Sequence, residues 1–280
     1  GSDLHTQCVS KQVNQSKHIT MAPMPSNQLK HTLIHLSVKM PTFKTTAIKT
    51  AFLASVVCLM AVSCRSDKSV VTSANVHHVV GNELLSMDSV RYSNAAGNAL
   101  SVTRLEYYLS GFELTDTEGK VTALDGVFYV NAEDATTHDL TLGKLNPGSY
   151  NQLRFYVGIV PEMNDLSKLP NTLENTGMQW PEMMGGGLHF MKMEGHFMDS
   201  SGAISGYAVH LGTDIALTSV TINQSFVVSE SDPKIDLTMD LLAWYENPVD
   251  YDLNGANVTM GDTVLMQLIR DNGGDVFTLQ

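Results

Sequence analysis

From residue 75 onward the apolar residues fall in short runs broken by Gly, Pro, Asn and Asp. Val76-His77-His78-Val79-Val80 runs into Gly81-Asn82, and 100–115, dense in β-formers, breaks at Asp116-Thr117-Glu118-Gly119. Runs follow at 127–130 and 140–142, then the turn Asn146-Pro147-Gly148 and a run at 152–160 stopped by Pro161. Side chains that pack on a pleated surface alternate here with residues that close turns, which predicts strands. Further strands are expected at 188–194, 206–211, 215–222, 234–245 and 276–279. The stretch 234–241 (KIDLTMDL) alternates polar and apolar, the period of a strand with one wet face. Asp262 is placed to cap a helix over 263–270, ended by Asn272-Gly273-Gly274. About ten strands and one short C-terminal helix predict an all-β fold, an antiparallel immunoglobulin-like β-sandwich, over a βαβ fold. Residues 162–187 break the rhythm with Pro170, Pro181 and Gly185-Gly186-Gly187. Such a long irregular insertion is more often functional than filler.

The segment 40–64 reads differently. Lys44 and Lys49 precede an apolar stretch from Ala51 to Val62, which ends in Ala61-Val62-Ser63-Cys64. The stretch is shorter than the ~20 residues a bilayer-spanning helix needs, but it suits a signal peptide. Its end resembles the lipobox of bacterial lipoproteins. The expected organisation is therefore upstream sequence at 1–39, outside the fold, then a lipoprotein signal peptide at 40–63. A tether at 64–74, starting at a lipidated Cys64, would lead into one domain at 75–280. The competing reading of 51–62 is a short buried helix.

Removing the leader changes the charge. The chain as a whole carries −12, but residues 65–280 hold 11 basic and 28 acidic residues. That excess argues against nucleic acid or an anionic membrane face as partner and leaves a lipid anchor as the expected membrane attachment. Cys8 and Cys58 precede the lipid site, so 65–280 has no disulfide, thiolate metal site or cysteine nucleophile. Glycine-rich phosphate loops, G-x-S-x-G and H-E-x-x-H are absent from the sequence, so no enzymatic activity is expected.

The densest chemistry lies in 178–198, MQWPEMMGGGLHFMKMEGHFM, which holds six methionines with Trp180, His189 and His196. Thioether and imidazole together favour copper, Cu(I) especially, over magnesium or calcium. On a regular strand His189, Met191 and Met193 would share one face. His78 and His210 lie on other expected strands. The blander reading is methionine as flexible core filler and histidines as satisfied structural residues. Imidazole must be neutral to bind metal, so affinity should weaken as pH falls through roughly 6.5.

Several segments together resemble the MbnP-like family of copper-binding envelope proteins. They are His78 three residues before Gly81, the Tyr107-Tyr108-Leu109-Ser110-Gly111-Phe112 strand and Leu145-Asn146-Pro147-Gly148-Ser149-Tyr150 before a strand. Gly187-Leu188-His189-Phe190-Met191-Lys192-Met193-Glu194-Gly195 and His210-Leu211-Gly212 complete the set in the family's order. The resemblance implies a β-sandwich, copper held largely by histidines, and a di-haem peroxidase-like partner that oxidises a tryptophan to kynurenine. Carried over, it implies His78 and His210 as ligands, with Trp180 as the tryptophan nearest the motif. The family's W-x-W is absent; Glu182 and Met184 stand at those spacings, so Met184 could offer a thioether in place of an indole. The expected metal set is therefore His78, His210, His189 and Met184.

The functional reading is a lipid-anchored copper-binding protein of the cell envelope, periplasmic or at the outer membrane, for copper acquisition, storage or delivery. The alternative is a structural, adhesive or glycan-binding β-sandwich lipoprotein. A hydrolase ranks last, since no nucleophile–base pair is visible.

Overall fold

The computed structural model describes residues 68–280. The expected signal peptide at 40–63 and the expected lipid site Cys64 lie outside the described residues.

The chain enters on β1 (Val70–Val80), turns at Gly81 into β2 (Glu83–Leu84), and passes through β3 (Tyr92–Ser93) and β4 (Ala99–Leu100). The long hairpin β5 (Arg104–Asp116) and β6 (Val121–Asn131) follows, then β7 (Asp139–Leu145) and β8 (Gly148–Val157). An irregular stretch contains α1 (Leu173–Gly177), and a second hairpin joins β9 (His189–Met198) to β10 (Ile204–Gly212). β11 (Thr218–Ile222), β12 (Phe226–Val228), β13 (Lys234–Asp240), α2 (Thr263–Asn272) and β14 (Phe277–Leu279) complete it.

These strands form two sheets. One runs β14-β13-β1-β2, with β7 also on β1; the other runs β11-β8-β5-β9-β4-β3, with β6, β10 and β12 added. The sheets face each other across aromatic side chains. Phe277 meets Phe155 and Tyr107 at ring separations of 5.1 and 6.4 Å. The expected sandwich-like all-β class and the C-terminal helix are both present, and Asp262 caps that helix by accepting from the amides of Val264 and Leu265.

The pairing is mostly antiparallel, as expected, and three details differ. The pairing is not wholly antiparallel, because β1 and β13 run parallel from Ser73 opposite Lys234 to Val79 opposite Asp240. Parallel neighbours need a long crossover, and most of the chain lies between these two. The first strand also starts before residue 74, where the tether is expected to end. β1 begins at Val70, already opposite Leu145, because its even-numbered residues Thr72, Ala74 and Val76 bury on the core face. Third, the strand expected through residue 245 stops at Asp240, whose carboxylate caps a 3-10 turn, Leu241–Tyr245. Trp244 is thus on a turn, packed against Gly273, rather than on a strand.

Candidate metal centre

The site is built on the β5–β9–β10 part of the larger sheet. Register places Tyr107, Met191 and Leu211 in one cross-strand row, and Glu106, Lys192 and His210 in the next. Leu105, Met193 and Val209 form a third row, and Arg104, Glu194 and Ala208 a fourth. Alternation sends the first and third rows into the core. The second and fourth face outward, beneath the irregular segment 161–188, whose α1 receives the Lys192 ammonium on the Gly177 carbonyl at 2.6 Å.

His189 would fall on the core side if β9 were regular. It does not, because the register shifts between Leu211 (opposite Met191) and Gly212 (opposite His189). The extra residue in β9 is a bulge, which reverses the alternation beyond it. His189 therefore joins His210 on the outer face, ring centroids 5.1 Å apart and nearly perpendicular. This overturns the expected shared face of His189, Met191 and Met193. Both methionines are core residues, and Met193 sulfur accepts from the Tyr245 hydroxyl at 3.7 Å.

The irregular segment folds back on β9. Trp180 N–H donates to the Gly187 carbonyl, and the His189 amide donates to the Met178 carbonyl. The tip needs its glycines: Gly187 sits at φ +87°, and a Cβ there would stand 2.8 Å from Asn164 Oδ1, the atom that accepts from the Leu188 amide. Trp180 is 1% exposed. Its six-membered ring lies over Gly212, where a Cβ would come within 2.3 Å of the indole. The indole N–H donates to the Met184 carbonyl at 3.2 Å, and the indole edge meets His189 at 4.7 Å. Trp180 is thus both a plug under the segment and a direct neighbour of a candidate ligand.

Hydrogen bonding assigns the nitrogens. His189 Nδ1 lies 3.1 Å from the Met178 carbonyl, an acceptor only, so Nδ1 carries the proton and Nε2 keeps its lone pair. His210 Nε2 lies 2.8 Å from Glu194 Oε1, while its Nδ1 is buried without a partner. Burial, then the Lys192 charge, lowers the His189 pKa to about 4. Burial also lowers that of His210, against the opposing pull of Glu194. Burial would raise the Glu194 carboxyl, but the bond from His210 and the Arg104 guanidinium outweigh it and hold it below the usual range. Both imidazoles are therefore neutral near pH 7 beside an ionised carboxylate, which carries the expected loss of affinity to a pH below 6.5.

The other expected ligands are placed differently. Met184 is half-buried; its carbonyl serves Trp180, and its methyl tip lies near Gly261, where a Cβ would be 3.1 Å away. His78 lies on the opposite side of the larger sheet, in the core, with Nε2 2.9 Å from the Tyr107 hydroxyl and its ring 5.0 Å from that of His138. The structure brings His189, His210 and Trp180 together and leaves His78 a sheet away. Sequence reasoning missed Glu194, although the alternation Met191-Lys192-Met193-Glu194 already marked it as facing away from the core. Among the described residues no three of His, Cys, Asp and Glu form a metal-holding group. The two bare imidazole nitrogens, one of them a buried orphan, nonetheless fit a soft cation that accepts few ligands.

The sequence model of the MbnP family matches residues 71–262. The chain belongs to the MbnP family. Among solved structures, MbnP from Methylosinus trichosporium superposes with a TM-score of 0.52, over 76% of this chain and 98% of its own, at 18% identity. At that identity the likeness to MbnP concerns the fold. No curated protein matches the chain.

Proposed function

We propose that this MbnP-family chain is a copper-binding protein of the cell envelope, without catalytic activity of its own, that holds Cu(I) for acquisition, storage or delivery. The observation that carries the reading is the His189–His210 pair. Two neutral imidazoles stand 5.1 Å apart, each with one nitrogen held by a protein acceptor and the other free. Copper is the metal implied by the family resemblance, and imidazole suits it. A thioether from Met184 is the proposed additional donor. Elemental analysis of the chain after incubation with Cu(I), Cu(II) and Zn(II) tests this: about one copper per chain, lost in a His189→Ala, His210→Ala double variant, is expected. No metal retained would end the reading.

Anchoring through a lipidated Cys64 belongs to the same proposal, at the periplasmic face or the outer membrane. Expressed with its leader, the chain should fractionate with membranes, and Cys64→Ala should release it. A di-haem peroxidase-like partner acting on Trp180 is the further proposal that the resemblance supplies. The indole edge beside His189 supports it, and peptide mapping of protein from its native host across 178–193 would reveal kynurenine or an intact indole.

A cleft of about 380 Å³ lined by Tyr108, Tyr129, Asp134, Thr172, Glu174 and Asn175 supports a second reading, a glycan-binding module. Tyrosine rings with acceptors around them suit a sugar. Saturable glycan binding by a metal-free chain, lost in Tyr129→Ala, would favour it.

A further inference from the structure

We infer that Glu194 is the positioning residue of the metal centre. It holds the proton of His210 on Nε2, so that the two histidines meet the metal through opposite nitrogens, Nε2 of His189 and Nδ1 of His210. This rests on the metal-binding reading and goes beyond it, since the ring identities alone leave four nitrogen combinations open.

His210 stands opposite Lys192, and Glu194 is the next outward residue along β9, so the two are diagonal neighbours on one face. That places Glu194 Oε1 2.8 Å from His210 Nε2. The carboxylate is itself held, because Arg104 Nη1 donates to the same oxygen at 3.2 Å while Arg104 Nε contacts Glu106 at 3.3 Å. An ionised carboxylate can only accept, and a neutral imidazole has one N–H to give. The proton therefore sits on Nε2. Thr259 fixes the backbone around the ring: its hydroxyl oxygen accepts from the His210 amide at 2.8 Å and donates to the His210 carbonyl at 2.6 Å.

What remains is Nδ1, a buried acceptor with no partner. Leaving a buried polar group unpaired is costly, so an orphan held in place by five supporting contacts needs an explanation. A cation on Nδ1 supplies one. The His189 side is complementary, since the Met178 carbonyl takes its Nδ1 proton and leaves Nε2 free. A carboxylate behind a metal-bound imidazole fixes the tautomer and raises ligand basicity, and losing such a partner typically lowers metal affinity roughly 10–100-fold. A carbonyl behind one ring and a carboxylate behind the other would make His210 the stronger donor.

The test uses the purified chain with ¹⁵N-labelled histidine. Cu(I) is diamagnetic, so loading should shift Nδ1 of His210 and Nε2 of His189 while the other two nitrogens remain protonated. Competition with a chromophoric Cu(I) chelator should show an affinity loss of roughly 10–100-fold in Glu194→Ala. Glu194→Gln keeps an acceptor without the charge and should fall between the two. Coordination at Nε2 of His210, or unchanged affinity in both variants, would overturn the inference while leaving the metal reading intact. A wild-type chain that binds none of Cu(I), Cu(II) and Zn(II) overturns both. Should Glu194→Ala not fold, Glu194→Gln and the wild-type nitrogen assignment decide alone.

Discussion

Among the described residues two histidine pairs have almost equal ring separation, 5.1 Å for His189 and His210 on the outer face and 5.0 Å for His78 and His138 on the core side. They differ in what their nitrogens meet. The buried Tyr107 hydroxyl has, among the described residues, only His78 as partner, so its proton goes to Nε2 and uses that lone pair. His138 gives its Nε2 proton to the Asn131 carbonyl at 2.9 Å. In the outer pair the protein accepts protons and leaves lone pairs; in the inner pair a protein hydroxyl consumes one. Proximity of imidazoles does not make a ligand set. What separates the two pairs is which nitrogen their hydrogen-bond partners leave bare.

The largest effects are expected at the proposed ligands. His210→Ala or His189→Ala should weaken Cu(I) binding by at least ~100-fold, beyond the usual effect of a supporting residue. His78→Ala should leave it within a few-fold and instead lower the denaturant midpoint. Chelator competition and chemical denaturation of the same three variants check both halves. Equal copper loss in His78→Ala would reinstate the ligand role that resemblance suggested for it.

Next in size is the floor under Trp180. Gly212→Ala puts a Cβ into the indole, which must move, at a cost of about 1–3 kcal/mol. Tryptophan fluorescence should shift along with stability, and Cu(I) affinity should fall because His189 leans on the same ring. An unshifted emission spectrum would mean that the indole does not rest there.

On the inner side, Tyr107→Phe strands a buried imidazole nitrogen and should cost about 1–3 kcal/mol without touching copper affinity. Denaturation curves paired with copper titration measure this directly.

The most gradual effects appear with pH. Burial, with the charges of His138 and His77, depresses the His78 pKa to about 3, below the 6.5 of an unfolded histidine. The unfolded chain binds the proton first, so the stability contributed by neutral His78 is complete above pH 6.5. It declines by about 1.4 kcal/mol per pH unit as pH falls from there toward 3. His78→Gln should flatten that slope between pH 6.5 and 4. Copper affinity should behave differently, holding just below pH 6.5, where both imidazoles are still neutral, and being lost by the point at which His189 protonates near 4. A steep loss centred at 6.5 would mean that the binding imidazoles are solvent-like.

Much of this was legible in residue order. Turn residues and β-formers located most strands, and Asp262 announced its helix. The departure of 162–187 from any period marked the segment that covers the site. The four expected ligands do not come together in space, because the motif resemblance grouped His78 with His210 through their order along the chain, and order carries no information about which side of a sheet a strand presents.

The sequence by itself determined the β-rich class, the family, and which neighbours share a face within one regular strand. Those follow from local sterics and period-2 alternation. Only the tertiary structure decided three things: the bulge that turns His189 away from Met191, the sheet that stands between His78 and His210, and the diagonal that brings Glu194 to His210 Nε2. Each depends on hydrogen-bond register with a strand elsewhere in the chain. Register is a property of the pair, and no single strand encodes it.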